Sequence, residues 1–174
     1  MCFMQREKRQ AVGGQICTQC CGTRRLKEID CPEDCFYLDK SKKYFFEREM
    51  KQIIGDEDRY LDVLQNIEFA IYGVYADKGN ITDRHVQAAV EYLLEMGKAR
   101  LGVPSEFLTQ LPPNVQNVVD AIDGILEMRD EITEEREKLL DKLRCIYRIQ
   151  DSVKFHYNTA DECRYLGFIG QFLR

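Results

Sequence analysis

The chain has 174 residues, 44% apolar and 32% charged, so it folds around a core rather than staying disordered. Four prolines and eleven glycines exclude a collagen-like or proline-rich chain, and the longest apolar run, the eight residues Phe69 to Ala76, is too short to cross a bilayer. The net charge of −5 is uneven, +3 over residues 1–43 and −8 over residues 44–174, which argues against nucleic acid wrapped over the whole surface.

No apolar stretch follows the charges of Met1 to Arg9, so a secretory leader is not expected and a soluble cytoplasmic protein is. Residues 1–16 read as a polar arm ending in Val12-Gly13-Gly14-Gln15. Of eight cysteines, five fall between Cys17 and Cys35, while Cys2, Cys145 and Cys163 stand apart. In a reducing compartment, thiols grouped in this way read as metal ligands rather than disulfides. Residues 17–38 hold too few apolar side chains to fold unaided, so a metal or docking must hold them. The expected organisation is a Cys-rich zinc module over residues 1–38 and a helical bundle over residues 39–174.

The thiol pattern is Cys17-x2-Cys20-Cys21, a spacer from Gly22 to Asp30, then Cys31-x3-Cys35. A tight turn between two ligands brings both sulfurs to one side of an ion, and four thiolates make a closed, structural zinc site. Cys17, Cys20, Cys31 and Cys35 are the expected ligands, with Cys21 the alternate for Cys20. Gly22 permits a left-handed turn, and Pro32 suits the first position of a helical turn. The x3 spacing departs from ordinary zinc ribbons and fits a knuckle followed by a helix. An iron–sulfur cluster, or a redox sensor built on Cys20, Cys21 and Cys2, is the alternative. Arg24, Arg25 and Lys27 lie between the ligand pairs. Their first expected role is to screen thiolate charge; a weak nucleic-acid contact is the second, because Glu28, Asp30, Glu33 and Asp34 dilute the basic patch.

From Asp39 onward the pattern has helical period. Tyr60, Val63, Leu64, Ile67, Ile71 and Val74 make one stripe, ended by Asp77-Lys78-Gly79-Asn80. Asn80 or Thr82 caps the next helix, with Asp83 near its positive end and a stripe of Val86, Ala89, Val90, Leu93, Leu94 and Leu101. Gly102, Pro104 and Pro112-Pro113 bracket a loop that holds a short turn around Phe107. Asn114 is the expected cap of a helix bearing Val115, Val118, Val119, Ile122, Ile125 and Leu126. A long segment follows with Ile132, Leu139, Leu140, Leu143, Ile146, Ile149 and Val153. In it Glu134 and Lys138 attract, whereas Glu137 and Asp141 repel. Cys163, Leu166, Ile169, Phe172 and Leu173 outline a last short helix. No sustained strand-type alternation occurs, so the expected fold is an all-α bundle of about five helices.

His85 and His156 are the two histidines. With no paired metal-binding or catalytic motif beside them, they read as ordinary half-buried histidines, and Cys145 and Cys163 read as small core residues. Asp77 to Asp83 faintly resembles a calcium loop, but Gly79 and Ala88 supply no side-chain oxygen at the required positions. No phosphate-loop, dinucleotide, nucleophile-elbow or zinc-protease motif is present. Tyr44-Phe45-Phe46, beside Lys40, Lys42 and Lys43, interleaves basic and aromatic residues. Packing of the module against the bundle is its expected use, ahead of base stacking. The reading is a non-enzymatic zinc-binding protein, acting as a binding or regulatory module on a protein partner or a second copy of itself, without membrane contact.

Overall fold

The computed structural model describes residues 23, 35–51, 57–106, 110–127 and 136–172. The regular elements among them are helices: α1 (Phe36–Met50), α2 (Glu57–Lys78), α3 (Asp83–Arg100), α4 (Pro113–Leu126), α5 (Arg136–His156) and α6 (Arg164–Ile169). The fold is all-α, as the helical periodicity implies. The chain divides into two compact units, Met1–Phe45 and Phe46–Arg174, so that the division falls within α1.

In the second unit, each periodic stripe supplies the core. Ile67 and Ile71 of α2, Val86, Ala89, Val90, Leu93 and Leu94 of α3, Val115, Val118, Val119, Ile122 and Leu126 of α4, and Leu139, Leu140, Leu143, Ile146, Ile149 and Val153 of α5 lie inside. α2 packs on α4, α4 on α3, α3 on α5 and α5 on α2, which closes a ring of four helices. The short α6 seals one side against α2, α3 and α5. Phe46 and Met50, the last apolar positions of α1, complete the same core. The Lys98 ammonium sits 5.4 Å above the Phe46 ring, a cation–π contact.

The helix ends follow from local chemistry. Gly79 and Gly102 stop α2 and α3 in the left-handed region, at φ 68° and 66°. After α3, Val103 N–H reaches the Lys98 carbonyl at 2.9 Å and Gly102 N–H reaches that of Ala99 at 3.0 Å, the paired bonds of a Schellman motif. Thr82 is the N-cap of α3, as expected. α4 differs. Pro112 is its N-cap and Pro113 its first residue, because a proline there has no N–H to leave unpaired. Asn114 instead donates its amide to the Asn80 carbonyl at 3.2 Å, tying α4 to the turn before α3. Glu127 ends α4 with φ 51°, a left-handed conformation held by a non-glycine residue.

Two stripe positions face outward. Ile125 is 41% exposed and Phe172 is 71% exposed. Ile125 sits at the border of its stripe, where one residue of helical rotation decides burial. Phe172 follows the end of α6 and no longer keeps its period. The short turn around Phe107 and the helical position of Ile132 lie outside the described residues. Where α3 crosses α5, Gly97 is buried and a Cβ built on it would lie 2.8 Å from Leu143 Cδ1 and 2.9 Å from its Cγ. Only glycine lets the two helices approach so closely.

Candidate functional site

Cys35 is the described member of the thiol cluster. It precedes α1 directly, and its carbonyl accepts the N–H of Leu38 at 2.9 Å and of Asp39 at 3.1 Å, so it is the residue that caps the helix. Its thiol is free of any disulfide and half-buried. The backbone therefore turns from Cys35 straight into a helix, while the x3 spacer before it lies outside the described residues. Cys17, Cys20, Cys21 and Cys31 lie outside the described residues, as do Cys2, Arg24, Arg25 and Lys27. Among the described residues, no group of three or more His, Cys, Asp or Glu side chains is arranged to hold a metal ion.

The histidines are engaged in local structure. His85 Nδ1 accepts the backbone N–H of Thr82 at 3.0 Å, taking the place that a glutamate usually fills in a capping box. That bond requires a lone pair on Nδ1, so the neutral ring carries its proton on Nε2. His156 lies flat on Phe168, with centroids 4.0 Å apart and planes at 24°, and meets Phe155 edge-on at 5.1 Å. The remaining cysteines are equally settled. Burial pushes the Cys145 thiol up to about 11, which leaves it a protonated core group at neutral pH. Cys163 precedes α6 rather than lying on it, and its thiol points to the Ile81 carbonyl at 3.7 Å.

Two buried polar clusters were not apparent from spacing. In the first, Asp83 is only 1% exposed, although it opens α3. Its carboxylate accepts the backbone N–H of Tyr165 at 2.8 Å and of Leu166 at 3.2 Å, the first turn of α6. In return, Asp83 N–H donates to the Glu162 carbonyl at 2.8 Å. Asp83 lies in the first turn of its own helix, as expected, and its carboxylate also serves the start of α6. Tyr165 is held at its other end as well, its hydroxyl donating to Glu68 of α2 at 3.4 Å. Burial raises both carboxyl groups above the ordinary range, and the bonds from Tyr165 and Leu166 offset this only in part.

The second cluster surrounds Arg144 of α5, which is 8% exposed. One terminal nitrogen donates to Asp141 at 2.7 Å and to Glu137 at 3.3 Å. The other reaches the Glu49 carboxylate at 3.3 Å, while Nε donates to the Glu49 backbone carbonyl at 3.3 Å. That carbonyl belongs to the last turn of α1, a place where helix carbonyls take partners from outside the helix. Glu137 and Asp141, a repelling pair by spacing, are thus bridged by one guanidinium. Burial alone would lower the Arg144 pKa, but its carboxylate partners outweigh burial and raise it. Tyr60 donates to Asp141 too, and burial with that bond pushes its phenol up to about 12. A helical reading of α5 puts residues 137, 141 and 144 on one face, which was the available signal; Glu49, 95 residues away, left none.

Tyr44-Phe45-Phe46 is split by the helix it lies on. Phe46 is 6% exposed, while Tyr44 is 63% and Phe45 49% exposed. Phe46 joins the core of the second unit, and the cysteine module that the run was expected to pack lies outside the described residues. Among the described residues, no helix is long and apolar enough to cross a membrane. No family model, curated protein or solved structure matches the chain.

Proposed function

We propose that this chain is a non-enzymatic zinc-binding helical protein. Cys17, Cys20 (or Cys21), Cys31 and Cys35 hold one structural ion, and the helical body acts as a binding or regulatory scaffold for a protein partner or a second copy in the cytoplasm. The observation that supports this reading is Cys35 at the start of α1, where a rigid helix follows the last thiol of the cluster directly. The buried charges favour a scaffold over a catalyst. Asp83 and Arg144, the buried charged groups among the described residues, spend their hydrogen bonds on helix ends and on acids of their own and neighbouring helices.

Elemental analysis of protein purified without added metal tests the reading. The expected result is about one zinc per chain, lost together with module structure on chelation. Cys35→Ser should lower zinc retention without unfolding the body. Visible absorbance from thiolate-to-iron bands would favour the iron–sulfur alternative. Metal-free protein whose clustered thiols all titrate freely in the native state would overturn the assignment.

A further inference from the structure

We propose that the outward face of α1 carrying Phe36, Lys40, Lys43 and Tyr44 binds single-stranded nucleic acid. Positions 36, 40, 43 and 44 fall on one helical stripe, and all four are exposed, Phe36 by 68% and Tyr44 by 63%. Two aromatic rings therefore flank two ammonium groups along one surface of the helix. At 1.5 Å per residue, Phe36 and Tyr44 lie about 12 Å apart along the axis, with both lysines between them. An extended strand laid on this face stacks bases on the outer rings and sets the intervening phosphates over Lys40 and Lys43. Stacking combined with backbone charge is how sequence-tolerant single-strand binding works.

Charge selects the occupant. Residues 36–47 carry Lys40, Lys42 and Lys43 against Asp39 and Glu47, a net +1 with Glu47 at the far end of the face, whereas residues 48–174 carry −7. A polyanion is attracted to this face and repelled by the acidic remainder, which confines the contact and keeps it weak. An anionic membrane fits less well. The aliphatic and sulfur-bearing apolar positions of α1, Leu38 and Met50, are buried, so the helix presents no continuous apolar face for insertion. The proposal goes beyond the zinc reading and rests on residues none of which is a thiolate.

Fluorescence anisotropy of the full chain against labelled oligo-dT and oligo-U strands tests it. Random duplex and phosphatidylserine vesicles are measured beside them. The expected result is a micromolar complex with the single strands at low salt. Its log affinity should fall against log salt with a slope of roughly −1.4 or steeper, from two or more phosphate contacts. Lys40→Glu with Lys43→Glu should weaken binding by about tenfold or more, and Phe36→Ala with Tyr44→Ala by a similar factor. Because the four side chains are exposed, both double variants should keep the parent's helicity and melting temperature. No binding at low salt would overturn the proposal. So would affinity unchanged in both folded variants, or a preference for vesicles or duplex over single strands.

Discussion

Asp83 and Tyr165, separated by 82 residues, meet through a carboxylate and a backbone N–H 2.8 Å apart in the interior of the protein. The carboxylate also takes the Leu166 N–H at 3.2 Å, so it satisfies two of the donors that a short helix leaves open at its start. Removing a buried acceptor strands its donors, which costs more than the bond itself contributes. Asp83→Ala should therefore lower unfolding free energy by about 2–4 kcal/mol. Asp83→Asn, which retains one acceptor oxygen, should lose less. Urea midpoints of the two variants give the comparison.

The pH dependence from this region has an unusual sign. Glu68 and Asp83 both bind protons more tightly in the folded protein than an exposed carboxyl does, because burial penalises their charge. Their contribution to stability is therefore fully present below the ordinary carboxyl pKa and is lost as pH rises through the raised one. Glutamine at position 68 has no charge to bury. Glu68→Gln should be at its greatest disadvantage in acid and should gain on the parent as pH is raised to neutrality. Denaturation midpoints measured from about pH 4 to pH 7 should converge or cross. A difference that does not change with pH would contradict the assignment.

Arg144→Met should cost about 2–4 kcal/mol. The substitution fills similar volume but leaves the Glu49 carbonyl without its donor and releases Glu137 and Asp141 to repel each other. Mutating the acids singly should cost less, since Glu137 has a side chain 70% exposed and that of Asp141 is 37% exposed. Thermal melts of Arg144→Met, Glu137→Gln and Asp141→Asn order the three effects.

At the crossing of α3 and α5, Gly97→Ala sets two effects against each other. Alanine favours the helix by about 1 kcal/mol, but its methyl group would intrude on Leu143, which is fully buried. Overpacking should win, with a net loss of about 1–2 kcal/mol. In a Leu143→Ala background the clash is gone and the same substitution should be neutral or stabilising. A double-mutant cycle in urea reads the coupling directly.

Fragments should show where the body begins. A fragment of residues 39–174 keeps Phe46, Met50 and Glu49 and should fold cooperatively. One of residues 51–174 loses two core side chains, 6% and 0% exposed, together with the Arg144 partner. Its stability should fall by about 5 kcal/mol or more, enough to abolish a cooperative melt in a marginal domain. Circular dichroism of the two fragments distinguishes these outcomes.

The helical stripes were legible because a period near 3.6 needs only local sequence. Ile67, Ile71, Leu93, Val118, Leu143 and Val153 all lie inside as their spacing implies. Helix ends were legible where backbone chemistry is local, at Gly79 and Gly102, and misread at Asn114, where a proline pair preceded it. What the sequence hid were partners distant along the chain. Nothing beside Asp83 announces Tyr165, and nothing beside Arg144 announces Glu49. The inward turn of Phe46 and the outward turn of its neighbours Tyr44 and Phe45 depend on the rotation of α1, which a run of adjacent aromatics does not specify.

The Asp83 carboxylate also sets a schedule for synthesis. While a chain emerges from the ribosome, α2 to α5 can form and associate as soon as residue 156 is free. At that stage the side that α6 will seal is still open, and the Asp83 carboxylate is solvated there. Cover and donors arrive together, with Tyr165 and Leu166, so the last helix both buries this charge and satisfies it. A chain ending just before residue 165 lacks the buried Tyr165, Leu166 and Ile169 and leaves the core open beside Asp83. One that extends a few residues further can close.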